Sequence, residues 1–125
     1  MSEIPAISFV YLAHPYKGKS ENVVQVGKIG EDIRKKYPDW LVFSPIHNWI
    51  YLGYEENRLR EMADCLSMLS RCDMLILSGG WKHSTGCLME YIHAMDMDIP
   101  VYEWNGEDVQ TVQAPLWDMK KAPEW

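Results

Sequence analysis

The chain has 125 residues, 47% of them apolar and 24% charged, with a formal net charge of −6. That size and balance fit one domain over residues 1–125 and exclude wholesale disorder. The acidic surplus argues against duplex DNA or RNA as the main partner, because such binders present a basic face. Residues 7–13 (ISFVYLA) form a nearly continuous apolar run stopped by His14-Pro15, the pattern of a central strand covered on both faces. Residues 20–37 follow helical spacing, with Val23, Val26, Gly30, Ile33 and Tyr37 on one side. Ser20 is the expected cap and Pro38 the stop. Gly27 and Gly30 weaken that helix by about 1 kcal/mol each, which close helix–sheet packing would offset. Residues 40–43 make a second strand, and 46–57 an aromatic, polar loop with a turn of helix. A second helix is expected over 58–71, with Leu59, Met62, Leu66 and Leu69 as its inner stripe. Residues 73–77 (DMLIL) are the clearest strand. Ser84 or Thr85 then caps a helix to residue 97, with Leu88, Ile92 and Met95 on one face. A fourth strand covers 99–104, Asn105-Gly106 turns, and the remainder reads as an irregular or short helical tail.

This β-α-β-α-β-α-β order calls for a parallel sheet of four to five strands between two helical layers. In open sheets of this type ligands bind outside the carboxyl ends of the strands. Those ends carry His14-Pro15-Tyr16-Lys17-Gly18, then Ser44-Pro45-Ile46-His47-Asn48, then Gly79-Gly80-Trp81-Lys82-His83-Ser84-Thr85-Gly86. Ser84-Thr85-Gly86 at a helix start offers free N–H groups and a hydroxyl to an anion or a sugar hydroxyl. A plain helix cap accounts for the same residues equally well. Glu90 follows one turn after Gly86 on the same face, among Leu88, Met89, Tyr91 and Ile92. Apolar surroundings desolvate a carboxylate, which is how a nucleophile or general acid is prepared.

Several chemistries lack their signatures. There is no G-x-x-x-x-G-K-[ST] loop, no G-x-G-x-x-G after a strand and no G-x-S-x-G. His14, His47, His83 and His93 do not have zinc-ligand spacing, so neither metal nor cofactor is called for. Cys65, Cys72 and Cys87 have no C-x-x-C arrangement and read as free thiols of a reduced cytosol. No apolar run approaches the roughly 20 residues that span a bilayer, and the acidic N-terminus is unlike a signal peptide. A cytoplasmic protein is expected.

The segments Tyr11-Leu12-Ala13-His14-Pro15-Tyr16, Phe43-Ser44-Pro45-Ile46-His47, Cys72-Asp73-Met74-Leu75-Ile76-Leu77 and Gly80-Trp81-x-x-Ser84-x-Gly86-x-x-x-Glu90 resemble the nucleoside 2-deoxyribosyltransferase superfamily. The similarity spans roughly residues 7–104 and is nearest to its small DUF1937 and DUF4406 groups. The resemblance implies a flavodoxin-like α/β/α fold and chemistry at the N-glycosidic bond of a nucleoside or nucleotide. Glu90 would be the nucleophile, with Asp64 as a second catalytic carboxylate. Tyr11, His14, Pro15, Tyr16, His47, Gly80, Trp81, Ser84 and Gly86 would bind the substrate. A serine at position 84 is the variant of relatives that hydrolyse nucleoside monophosphates, and points to a phosphate-bearing substrate. His14, Lys17 and Lys82 would add positive charge there. The family's helix aspartate lies eight residues before the strand aspartate; here Asp64 lies nine before Asp73, and Cys65 holds the family position. Asp73 itself is expected to cap structure.

Two functions are therefore carried forward: a glycosidic enzyme, and a nucleotide-binding or sensing module without catalysis. The resemblance also implies a homodimer or larger assembly, which sedimentation would reveal.

Overall fold

A computed structural model describes residues 8–49 and 58–112 of the chain. In chain order the elements are β1 (Ser8–Ala13), α1 (Ser20–Lys36), β2 (Trp40–Phe43), α2 (Pro45–Trp49), α3 (Arg58–Leu69), β3 (Met74–Leu77), a 3-10 turn (Trp81–His83), α4 (Thr85–Asp96), β4 (Val101–Trp104) and β5 (Val109–Thr111). The five strands form one sheet in the order β2-β1-β3-β4-β5. The first four run parallel, with Tyr11 beside Phe43 and Leu75, and Leu77 beside Glu103. This is the flavodoxin-like α/β arrangement, with its switch point between β1 and β3.

The period-two alternation of β1 sorts its side chains between two cores. Val10 and Leu12 pack with Val26, Ile33, Ile46 and Ile76 under α1 and α2. Tyr11 and Ala13 pack with Cys65, Leu69, Leu75, Leu77, Cys87, Leu88 and Ala94 under α3 and α4. Both faces being covered, the strand needs apolar residues throughout, which is why its sequence reads as a run. Gly30 faces the sheet: a Cβ there would sit 3.7 Å from Leu12 Cδ2, the close approach expected of the helix glycines. Asp73 ties β1 to the start of β3, accepting from the Phe9 N–H at 2.7 Å through its carboxylate and donating its own N–H to the Phe9 carbonyl at 2.7 Å.

Four expectations change. The cap of α1 is Lys19, without a side-chain hydrogen bond, and Ser20 is already helical. Leu59 is 77% exposed, and Cys65 takes its place in the inner stripe of α3. In α4 the buried residues are Cys87, Leu88, Glu90 and Ala94, while Ile92 and Met95 face solvent. The expected set 88/92/95 shares only Leu88 with the buried face; a shift of one residue turns a helix by about 100°, and the observed stripe brings Glu90 inward. Last, β5 extends the sheet antiparallel to β4, pairing Tyr102 with Thr111. The Asn105 side-chain oxygen accepts from the N–H groups of Glu107 and Asp108, both at 2.8 Å, and closes that hairpin. Three residues are too short a strand to leave a pattern. The turn of helix expected within 46–57 is present as α2, which starts at Pro45; residues 50–57, and the tail from 113, lie outside the described residues. Among the described residues no helix is long and apolar enough to cross a membrane.

Candidate active site

The helices following parallel strands begin at the carboxyl edge of the sheet, so α3 and α4 present their first turns where β1 and β3 end. Ser84 caps α4 in extended conformation (φ −111°, ψ 118°), its hydroxyl oxygen accepting from the Cys87 N–H at 3.3 Å. The cap accounts for the buried hydroxyl, and the other first-turn N–H groups of α4 point toward the same edge. Gly86 lies against α3: a Cβ there would be 3.3 Å from Met62 Cε and 3.9 Å from Ser84 Oγ. The two helices approach at the level of the cap because no side chain intervenes.

One turn on, Glu90 is buried, with 5% of its surface exposed. The Tyr11 hydroxyl donates to Glu90 Oε2 in a buried hydrogen bond. Tyr11 is fully buried, its ring tilted against Phe43 at 5.8 Å between centroids. Burial pushes the Glu90 carboxyl up to about 7; the Tyr11 hydrogen bond works against this and the charge of Glu61 adds to it. Burial, followed by the charge of Glu90, also raises the Tyr11 phenol well above its ordinary value. The phenol therefore stays protonated and serves as the donor. A carboxylate poised near neutrality beside a fixed donor can act as a nucleophile or exchange a proton in the physiological range.

The floor between β1 and β3 is closed by Ser78, whose hydroxyl donates to the Ala13 carbonyl at 2.7 Å and whose N–H donates to the same oxygen at 3.0 Å. Gly79 follows with φ +62°, and a Cβ there would fall 2.6 Å from His14 Nε2. His14 is buried; its Nδ1 donates to the Pro15 carbonyl at 2.7 Å and its Nε2 meets the Gln25 side-chain amide at 2.8 Å. Gly80 has open space where a Cβ would be. Trp81 is buried, its indole N–H donating to Glu103 Oε1 at 3.2 Å and its ring tilted against Tyr91. Lys82 Nζ stands 5.7 Å from the centre of the Trp81 ring, within cation–π range. Among the described residues, His83 Nδ1 is the buried side-chain polar atom with no hydrogen-bond partner.

Of the residues singled out from sequence, Tyr11 and Glu90 touch, and Ser84 and Gly86 adjoin them on α4. Trp81 stands beside that helix through Tyr91. His14 and Gly80 follow the carboxyl ends of β1 and β3, where Pro15 is buried beside His14. Tyr16 packs on the α1 side of the sheet. His47 lies there too, its Nδ1 2.8 Å from Ser44 Oγ and its Nε2 3.4 Å from where a Gly27 Cβ would be. Asp64 faces outward enough to pair with Arg60, Nε to both carboxylate oxygens at 3.3 Å. Sequence reasoning missed Gln25, Glu103 and Cys65 as supports of the site. Cys65 forms a side-chain hydrogen bond with Tyr11; its spacing with Leu69, i and i+4, was the available signal.

The sequence profile of a family described only as a domain of unknown function, DUF4406, matches residues 9–103, and the chain belongs to that family. A search of curated proteins finds no match. Among solved structures, the 2-deoxyribosyltransferase of the psychrotolerant bacterium Bacillus psychrosaccharolyticus superposes with a TM-score of 0.58 over 94% of this chain and 99% of its own. The identity is 18%, so the likeness is one of fold. That protein is described as a biocatalyst for the synthesis of antiviral and antitumoral nucleosides.

Proposed function

Starting from the family membership and the Tyr11–Glu90 pair, we propose that this protein cleaves or transfers at the N-glycosidic bond of a nucleoside or nucleoside 5′-monophosphate. The observation that carries the reading is a helix glutamate buried under a sheet, poised near neutrality and held by a protonated tyrosine. Ionised Glu90 attacks the anomeric carbon, the bond from that carbon to the base nitrogen breaks, and its electron pair leaves with the base, which takes up a proton from solvent. The product of this half is an ester between sugar and Glu90. Water or a second base then attacks the same carbon, the ester bond breaks, and the carboxylate returns. This is the retaining logic of a carboxylate nucleophile. The Tyr11 hydroxyl orients the attacking carboxylate and stabilises its charge as it is regenerated.

The first turn of α4, with Ser84, Thr85 and Gly86, supplies N–H groups for the 5′-phosphate, and Lys17 and Lys82 contribute charge from the neighbouring loops. Trp81, fixed by Glu103, offers a wall near the base. His14, Pro15 and Gly80 border the crevice that admits the sugar, and Tyr16 and His47 would reach the substrate only from the α1 side. Asp64 was the expected second carboxylate. The superposed deoxyribosyltransferase supports a nucleoside as substrate class. The reading also carries a cytoplasmic homodimer or larger assembly without a cofactor.

A nucleotide-binding module without catalysis is the second reading. It is favoured by Cys65, which stands where the resemblance implies an aspartate. Incubation with a panel of nucleosides and 5′-monophosphates, followed by chromatography of free base, separates the two. Base released by the wild type and abolished in Glu90→Gln is the expected result. Thermal stabilisation by a nucleotide with no base formed would select the second reading.

A further inference from the structure

The second carboxylate of a two-carboxylate site has to come from an element that faces Glu90. Here α3 is that element: its inner stripe holds Cys65 and Leu69 in the same core as Tyr11, and Met62 Cε stands 3.3 Å from the position of a Gly86 Cβ. Asp64 lies one residue off that stripe, about 100° around the helix from Cys65, and is paired with Arg60. Glu61 lies four residues before Cys65, hence on the same side and one turn nearer the carboxyl edge of the sheet. It is half-buried and belongs to the first turn of α3, where the helix dipole favours an ionised carboxylate.

We propose that Glu61 is the second carboxylate of this site, the base that takes a proton from the incoming water or acceptor base as it attacks the sugar held on Glu90. In that step the acceptor's O–H or N–H proton passes to a Glu61 oxygen, the new bond forms at the anomeric carbon, and the ester bond to Glu90 breaks with its electrons returning to the carboxylate. The role rests on the glycosidic reading above and names its missing partner. The charge of Glu61 is felt at Glu90, where it opposes ionisation. The other titratable groups around Glu90 are Tyr11 from β1, Cys65 from α3 and Cys87 from α4, with Lys17 acting on Cys87.

The test is rapid-quench and steady-state kinetics of wild type, Glu61→Gln and Asp64→Asn on the substrate identified by the base-release panel. Glu61→Gln is expected to release a first equivalent of base as a burst. It should then turn over roughly 10²–10⁴-fold more slowly than wild type, the range of a lost general base. Added azide, which needs no proton removed, should restore turnover as the glycosyl azide. The acid limb of the pH–rate profile should also move to lower pH, an effect that a merely structural role would not produce. Wild-type rates and an unmoved pH profile in Glu61→Gln, or a burst and azide rescue seen in Asp64→Asn instead, would overturn the assignment and leave the glycosidic reading intact. A wild type that releases no base from any substrate would overturn both.

Discussion

At the scale of single residues, the site depends on a balance at Glu90. Burial disfavours its charge, and the Tyr11 hydroxyl, kept protonated by its own burial, restores part of what burial takes away. A nucleophile must be ionised, so activity is expected to rise with pH through about 7, the region of the Glu90 carboxyl. Tyr11→Phe removes the hydrogen bond that lowers this value while keeping the ring against Phe43. A hydrogen bond to a charged group contributes about 1.5–3 kcal/mol, equivalent to a shift of roughly one to two pH units. The acid limb of the variant's pH–rate profile is therefore expected one to two units higher on that same footing. An unmoved limb would mean that Tyr11 does not govern the charge of Glu90. The Tyr11–Glu90 contact itself was only half visible in the sequence. Glu90 stood out as an acid among apolar neighbours, whereas Tyr11 was expected, through the resemblance, to bind substrate, and its bond to Glu90 needed the pairing of β1 under α4.

At the scale of elements, the ends of β1 and β3 are held together by the turn after β3. Ser78 anchors it to the end of β1, Gly79 takes the left-handed conformation, and the space a side chain would need belongs to the His14 ring. Gly79→Ala meets both obstacles. The left-handed backbone alone costs about 1–2 kcal/mol for a residue with a Cβ, and His14 must leave its contact with Gln25. A loss of ~2 kcal/mol or more, read by chemical denaturation, is expected; a neutral effect would show that the turn relaxes freely. The strands and long helices were legible because their apolar runs and 3.6-residue stripes are long enough to be redundant. The inward faces of α3 and α4 were less so. Each helix has apolar residues on more than one side, and only contact with the sheet decides between Leu59 and Cys65, or between Ile92 and Glu90. The three-residue β5 carries too few positions for any periodicity.

Across the whole molecule, holding a carboxyl group inward has a thermodynamic consequence. The Glu90 carboxyl rises from an ordinary 4.5 to about 7 in the folded chain. Between those values the native state binds the proton that the unfolded state has released, so stability falls as pH rises through that window and is level above it. The shift amounts to on the order of 3 kcal/mol. Glu90→Gln cannot lose that proton, so denaturation of both proteins from pH 5 to 8 should show the variant gaining on the wild type, mostly below pH 7. Parallel curves would mean that Glu90 is charged in the native state throughout. The parallel sheet between helical layers, by contrast, followed from the alternation of strands and helices alone, and with it the edge where chemistry was sought; its strand order is that of the flavodoxin-like fold the resemblance implied. What the sequence could not supply was depth: which of the polar residues at that edge turn into the core and which, like Asp64, turn to a neighbour on their own helix.

The most direct measurement is the mass of the protein acid-quenched during turnover with a substrate that releases base, followed by peptide mapping. A mass increase of one sugar unit, with its phosphate where the substrate carries one, localised to the peptide containing Glu90 and absent in Glu90→Gln, is the predicted result. Base release with no adduct at any time, or an adduct on another residue, would contradict the assignment of Glu90 as the nucleophile.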